Sequence, residues 1–192
     1  MWRRCVGSRT YPLNVEDRNH DRRIPGLLNE TCAAEILPLT ADTSTIRTAI
    51  TKMKAIGNTY IPGGLIWGWR MLSLGAPFAE GKPYDVKNQN PRKIIVLLTD
   101  GANTLKPNFP YHSANNDVSA SNGYVTEICN NVKAADIEVF TVAFDVTDPG
   151  IKGILQGRAT SAGHYFDAGN ERALEDAFNQ MAASFLDRRI AR

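Results

Sequence analysis

Apolar positions along the chain change their period several times, and each change predicts an element. Ile46, Ile50, Met53 and Ile56 recur at three- and four-residue steps, which puts them on one face of a helix. Asp42 stands before that run as an N-cap, because its carboxylate can accept orphan backbone N–H groups, and Gly57 is the expected stop. A second helix is predicted from about Pro62 to Leu74, carrying Trp67 and Trp69. Ile94-Ile95-Val96-Leu97-Leu98 is unbroken and apolar, so residues 93–99 read as a strand covered on both faces, as in the centre of a parallel sheet. It ends at Asp100-Gly101. Tyr124, Ile128 and Val132 mark a helix, Ile137 to Phe144 a strand, Ile151–Leu155 a short helix, and His164-Tyr165-Phe166 a short strand. Asn170 caps a final helix with Leu174, Phe178, Met181 and Phe185 on its apolar face.

Between these elements the pattern is weaker. Residues 7–31 are charged and irregular, with Pro12 and Pro25. Glu35-Ile36-Leu37-Pro38-Leu39 reads as an edge strand or strand end, since proline cannot donate to a ladder. Residues 75–92 are rich in Gly, Pro and Asn and read as a loop. Ala102 to Gly123 is a long polar stretch, and irregular loops of that length are often functional; it holds Phe109 and Tyr111. From residue 36 onward helix and strand alternate, which predicts an α/β fold with a parallel sheet between helices. Right-handed crossovers put the strand C-termini on one edge, where such sheets bind ligands.

Composition narrows the function classes. The chain has 192 residues, 43% hydrophobic and 22% charged, with a net charge of +2, which suits one folded domain. The near-neutral balance gives no electrostatic footprint for nucleic acid. No run is long enough to span a membrane, and no apolar stretch follows Met1-Trp2-Arg3-Arg4 to make a leader. Cys5, Cys32 and Cys129 match no zinc spacing. Two readings stay open for them: three buried thiols, or a Cys5–Cys32 disulfide with Cys129 left over.

Two residues stand out chemically. Asp100 closes the best strand, and Thr59 lies in a loop between two helices beside Gly57-Asn58 and Gly63-Gly64. A hydroxyl and a carboxylate are hard oxygen ligands suited to Mg²⁺. The residues alone also allow the plainer reading, in which Asp100 is a turn residue and Thr59 bonds its own backbone. His20, His112 and His164 are scattered and form no catalytic pattern. No nucleophile elbow, Walker loop or dinucleotide fingerprint is present.

The stretch Ile94 to Gly101 resembles the von Willebrand factor A-type strand that ends in a metal-site aspartate. Gly57-Asn58-Thr59, followed by Gly63-Gly64-Leu65, resembles the loop that supplies the metal-site threonine. Val132 to Val142 fits the next helix–strand unit. A narrower resemblance, to the C-terminal portion of TadG-like proteins of Flp (Tad-type) pilus assembly, rests on Trp2 to Arg9, Cys32 to Thr40, Trp67-Gly68-Trp69-Arg70, His164 to Ala168 and Arg188 to Arg192. It implies a three-layer, Rossmann-like sheet with residues 32–192 as a partial domain and 1–31 as an irregular segment. It also implies an extracytoplasmic protein, pilus-assembly or surface-ligand partners, and Thr59 and Asp100 as metal ligands. The location implied by the family favours the Cys5–Cys32 disulfide. Members commonly carry a cysteine where this chain has Arg158, which leaves Cys129 without a partner.

The family's metal-ion-dependent adhesion site also needs an Asp-x-Ser-x-Ser motif after the first strand, and this chain has none. Asp42-Thr43-Ser44-Thr45 comes nearest but caps a helix. The expectation is an N-terminally truncated domain whose absent part carries the first strands and a membrane anchor, leaving strand 93–99 with a bare apolar edge. Mg²⁺ would then be held poorly, since two protein oxygens do not fix it. Three functions follow as expectations: a non-enzymatic binding or assembly module, an aspartate-based phosphoryl-transfer or receiver-like domain, and a structural pilus component without a metal.

Overall fold

A three-stranded parallel sheet carries the molecule, with helices on both of its faces. The computed structural model describes residues 5–18, 21–27, 32, 34–75, 77–78, 80–108, 111–114 and 118–190. His20 and Phe109 lie outside the described residues. In chain order the elements are β1 (Cys5–Val6), β2 (Gly26–Leu27), α1 (Thr43–Thr51), α2 (Ile61–Leu72), β3 (Ile94–Thr99), β4 (Leu105–Asn108), β5 (Tyr111–Ala114), α3 (Ser119–Ala134), β6 (Glu138–Phe144), α4 (Pro149–Arg158), β7 (Tyr165–Ala168) and α5 (Glu171–Ile190).

The sheet order is β3-β6-β7, with Ile94 beside Glu138 and Thr141 beside Tyr165. The middle strand is β6, whose Val139, Phe140, Thr141, Val142 and Ala143 are all buried. Side chains alternate across a strand. Ile95 and Val139 therefore face α2 and α3, Ala143 faces α4, and Phe140 and Val142 face α5. These layers are the α/β architecture that the alternation of elements predicts.

The helices obey their local signals. Asp148 accepts from the N–H groups of Gly150 and Ile151 and starts α4 with Pro149 in its first turn. Asn170 starts α5 by accepting from the Ala173 N–H at 2.9 Å. Phe178 of that helix is nevertheless 46% exposed, so the buried stripe runs through Ala177 and Met181.

Four sequence expectations are corrected. Helix α1 ends at Thr51, not at Gly57, and buries no residue; Ile50, Met53 and Ile56 are exposed. Asp42 caps it well, but an isolated short helix gains little without packing. Residues 35–39 form no strand. The stretch 102–123 is not irregular: it holds the antiparallel hairpin β4–β5 and the first turn of α3. Finally, β3 is not central among the described strands but lies at an edge, as the expectation of a bare apolar edge along 93–99 has it. Its Val96 and Leu98 remain 39% and 42% exposed because α5 lies over β6 and β7.

The N-terminal segment packs on α2 and α3. Cys5 and Cys32 form a disulfide with a Cα–Cα distance of 5.4 Å, while Cys129 is a buried free thiol. Arg9 and Arg70 are both buried, 4% and 2% exposed, and line a cavity of about 30 Å³ together with Asn14, Tyr60 and Trp67. The Arg70 guanidinium lies 4.9 Å from the Trp67 ring and donates to the Leu13 carbonyl at 3.4 Å. Burial, with Arg9 nearby, pushes Arg70 down to about 10 against the pull of Asp17.

Candidate functional site

The sheet presents its strand C-termini at one edge, and the loops there carry both of the residues singled out in the sequence. Asp100 follows β3 directly and is exposed. Among the described residues its carboxylate has no hydrogen bond or ion pair. The residue before it, Thr99, is buried, and its hydroxyl bonds the backbone of Gly101, which turns the chain away from the strand. Asp145 ends the adjacent strand β6 in the left-handed region, φ 52°, and donates its N–H to the Ala168 carbonyl at 2.9 Å.

Thr59 is half-buried and is stitched to the segment beyond Asp100. Its N–H donates to the Thr104 hydroxyl at 2.7 Å, and its carbonyl accepts from the Thr104 and Leu105 N–H groups at 2.8 and 3.3 Å. The next turn is tied the same way. Tyr60 opens α2 without a side-chain cap, so Asn103, which is distant in sequence, does the capping: its Oδ1 accepts from the Ile61 N–H at 2.7 Å. The Asn103 amide then donates to Asn122 Oδ1 at 2.9 Å, in the first turn of α3. Asn103 is 4% exposed, so both bonds are sheltered from water.

The Thr59 loop, the loop after Asp100 and the start of α3 are thus one hydrogen-bonded unit. Sequence reasoning singled out Thr59 and Asp100 but missed Asn103, Thr104 and Asp145. An Asn-Thr pair just after a strand-end Asp-Gly is a signal for such a role only once the partner loop is known. From the other side, Ser8 donates to the Tyr60 hydroxyl at 3.1 Å, so the N-terminal segment clasps the residue next to Thr59.

The donor set suits a hard cation in kind: one hydroxyl and one free carboxylate on loops held in place. It is small in number. Among the described residues, no three His, Cys, Asp or Glu side chains cluster as metal ligands do.

A second polar chain lies at the opposite end of the strands. Arg92 makes two 2.6 Å bonds to Glu138 and one to the Ser184 carbonyl at 3.2 Å. His164 reaches Glu138 at 3.1 Å and Ser161 at 2.6 Å. With Glu138 already neutralised by a bidentate guanidinium, this network locks the starts of β3, β6 and β7 to α5.

No family description matches the chain, and no curated protein does. Solved structures do. Two structures of the pilus adhesin SpaC from Lactobacillus rhamnosus GG, one of them in an open conformation, align over 73% of this chain with TM-scores of 0.53 and 0.54. The identities are 18% and 19%. The proximal thread matrix protein 1 of the mussel byssus aligns over 70% of the chain and 28% of its own length, at 18% identity and a TM-score of 0.43. This chain spans 20% of the length of SpaC. The class of protein is therefore a layered parallel α/β domain, and the fold is similar to a domain found within SpaC.

Proposed function

We propose that this chain is a non-enzymatic binding or assembly module of a bacterial pilus or surface-adhesion system. It is of the von Willebrand A type, similar to the C-terminal part of TadG-like proteins, and works outside the cytoplasm. One observation carries the reading. The Thr59 loop and the segment after Asp100 are bonded into a single unit at the ligand-binding edge of the sheet, with the Asp100 carboxylate exposed and unengaged among the described residues. The likeness in fold to a pilus adhesin supports the setting. The Cys5–Cys32 disulfide supports an oxidising compartment.

In this reading Thr59 and Asp100 are part of a Mg²⁺ site. A bound ion would let an acidic group of a protein partner or surface ligand complete its coordination, so that recognition depends on the metal. Two side chains leave most of an octahedral shell to water, so the chain alone holds the ion weakly, in about the millimolar range. Calorimetry with Mg²⁺ and Mn²⁺ on the whole chain tests this. Weak binding that is lost in Asp100→Ala supports it. Micromolar binding contradicts the partial site, and binding indifferent to Asp100→Ala contradicts the site itself.

A further inference from the structure

Arg9 and Arg70 bring two guanidiniums to one interior cavity, walled by the N-terminal segment on one side and by α2 on the other. Both residues are enclosed, at 4% and 2% exposed, so bulk water solvates neither charge. Arg9 is held by its two terminal nitrogens, which donate to the Arg18 and Glu16 carbonyls at 3.0 and 3.1 Å. Arg70 is held less well. Among the described residues it donates once, to the Leu13 carbonyl at 3.4 Å, while its Nε has no acceptor and it forms no ion pair. Burial pushes both guanidiniums down, Arg9 pushes Arg70 down further, and Asp17 pulls both back. Asp17 does not line the cavity; its carboxylate accepts from the Ser73 hydroxyl. A charge taken out of water keeps its place only when it is paired or hydrogen-bonded.

We propose that this cavity binds one small inorganic anion, a halide such as chloride, between the Arg9 and Arg70 guanidiniums. The size selects the ion. About 30 Å³ holds two water-sized occupants, at roughly 10–15 Å³ each. A tetrahedral oxyanion brings four oxygens of that size and is too large. The second place goes to a water. Asn14 is 6% exposed, and its Oδ1 lacks a donor and would repel an anion directly. A water between them donates to both. The anion itself accepts from the Arg70 Nε–H and offsets charge that Asp17 leaves unmatched, in a low-dielectric interior where the attraction is strong. Tyr60, whose hydroxyl accepts from Ser8 at 3.1 Å, lines the same cavity. The ion therefore fixes the N-terminal segment against the start of α2, next to Thr59. Every wall residue lies between Val6 and Arg70, and neither Thr59 nor Asp100 takes part.

Urea unfolding of the whole chain at fixed ionic strength, with gluconate replaced stepwise by chloride, tests this. From about 10 to about 300 mM chloride the unfolding constant should fall at least about fivefold, as one ion bound to the folded state with a Kd below about 50 mM requires. Arg70→Met should abolish the chloride response. Arg47→Met, which removes an exposed charge from α1, should keep it. In a heteronuclear spectrum of the parent chain, the Arg70 Nε–H signal should shift saturably with chloride and not with gluconate. An unfolding constant that answers both anions alike leaves the cavity to water alone and overturns the proposal. So does a chloride response that survives in Arg70→Met or vanishes in Arg47→Met, or an Arg70 signal that chloride leaves in place.

Discussion

Thr59 and Thr104 exchange two hydrogen bonds across the loops of the sheet edge: the Thr59 N–H donates to the Thr104 hydroxyl at 2.7 Å, and the Thr104 N–H donates to the Thr59 carbonyl at 2.8 Å. Two loops far apart in sequence are thereby held as one surface. These polar bonds add to the apolar packing beneath them, where Ile61 of α2 and Ile95 of β3 share one core cluster.

Asn103 is the buried member of this unit, and its removal should be costly. Asn103→Ala leaves the Ile61 N–H at the start of α2 without an acceptor and strips Asn122 of its donor. A loss of about 2–3 kcal/mol is expected in urea unfolding. Asn103→Asp keeps the acceptor and loses only the donor, so it should cost less. Equal losses in both variants would show that the cap of α2 is not what Asn103 provides.

Arg70 is a buried cation whose guanidinium is poorly matched. Its Nε lacks a partner among the described residues, and its carbonyl contact is long. Arg70→Met should stay within about 1 kcal/mol of the parent or exceed it, because a buried charge is replaced by an apolar chain of similar length. Arg70→Ala should lose about 2–4 kcal/mol, since the packing against Trp67 goes as well. Thermal unfolding of the two variants separates charge from packing.

Cys129 is 0% exposed, and burial pushes its thiol up to about 11 from an ordinary 9.0, against smaller opposing pulls from Lys133 and Arg158. The native protein should resist alkylation at pH 8 and react only on unfolding. The linkage has a definite sign. The thiol's folded value is raised, so its contribution is complete below pH 9 and is lost as pH rises from about 9 toward 11. Cys129→Ala should show less loss of stability across that window. Identical alkaline profiles would contradict the assignment.

How much of this was legible in the sequence differs element by element. Strand β6 and helices α4 and α5 were readable because apolar period and capping residue agree there. Helix α1 ends earlier than its period suggests: Met53 and Ile56 keep the helical period but stay exposed among the described residues, so period alone does not set its end. The β4–β5 hairpin was hidden because Pro107 and its polar neighbours carry no alternation. An apolar run such as 94–98 shows that a strand is apolar, but not whether another strand lies beside it. Asp100 and Thr59 stand out by their places at a strand end and in a glycine-flanked loop, and by resemblance to a family motif. Asn103 and Thr104 did not, because capping by a distant loop leaves no local pattern.

The most direct test of the account is paramagnetic broadening of the amide spectrum by Mn²⁺ on the whole chain. A partial site on Thr59 and Asp100 predicts weak, saturable broadening centred on Thr59, Asp100, Gly101 and Thr104, competed by Mg²⁺ and abolished in Asp100→Ala. Broadening centred elsewhere, or at this edge but unchanged in Asp100→Ala, would contradict it.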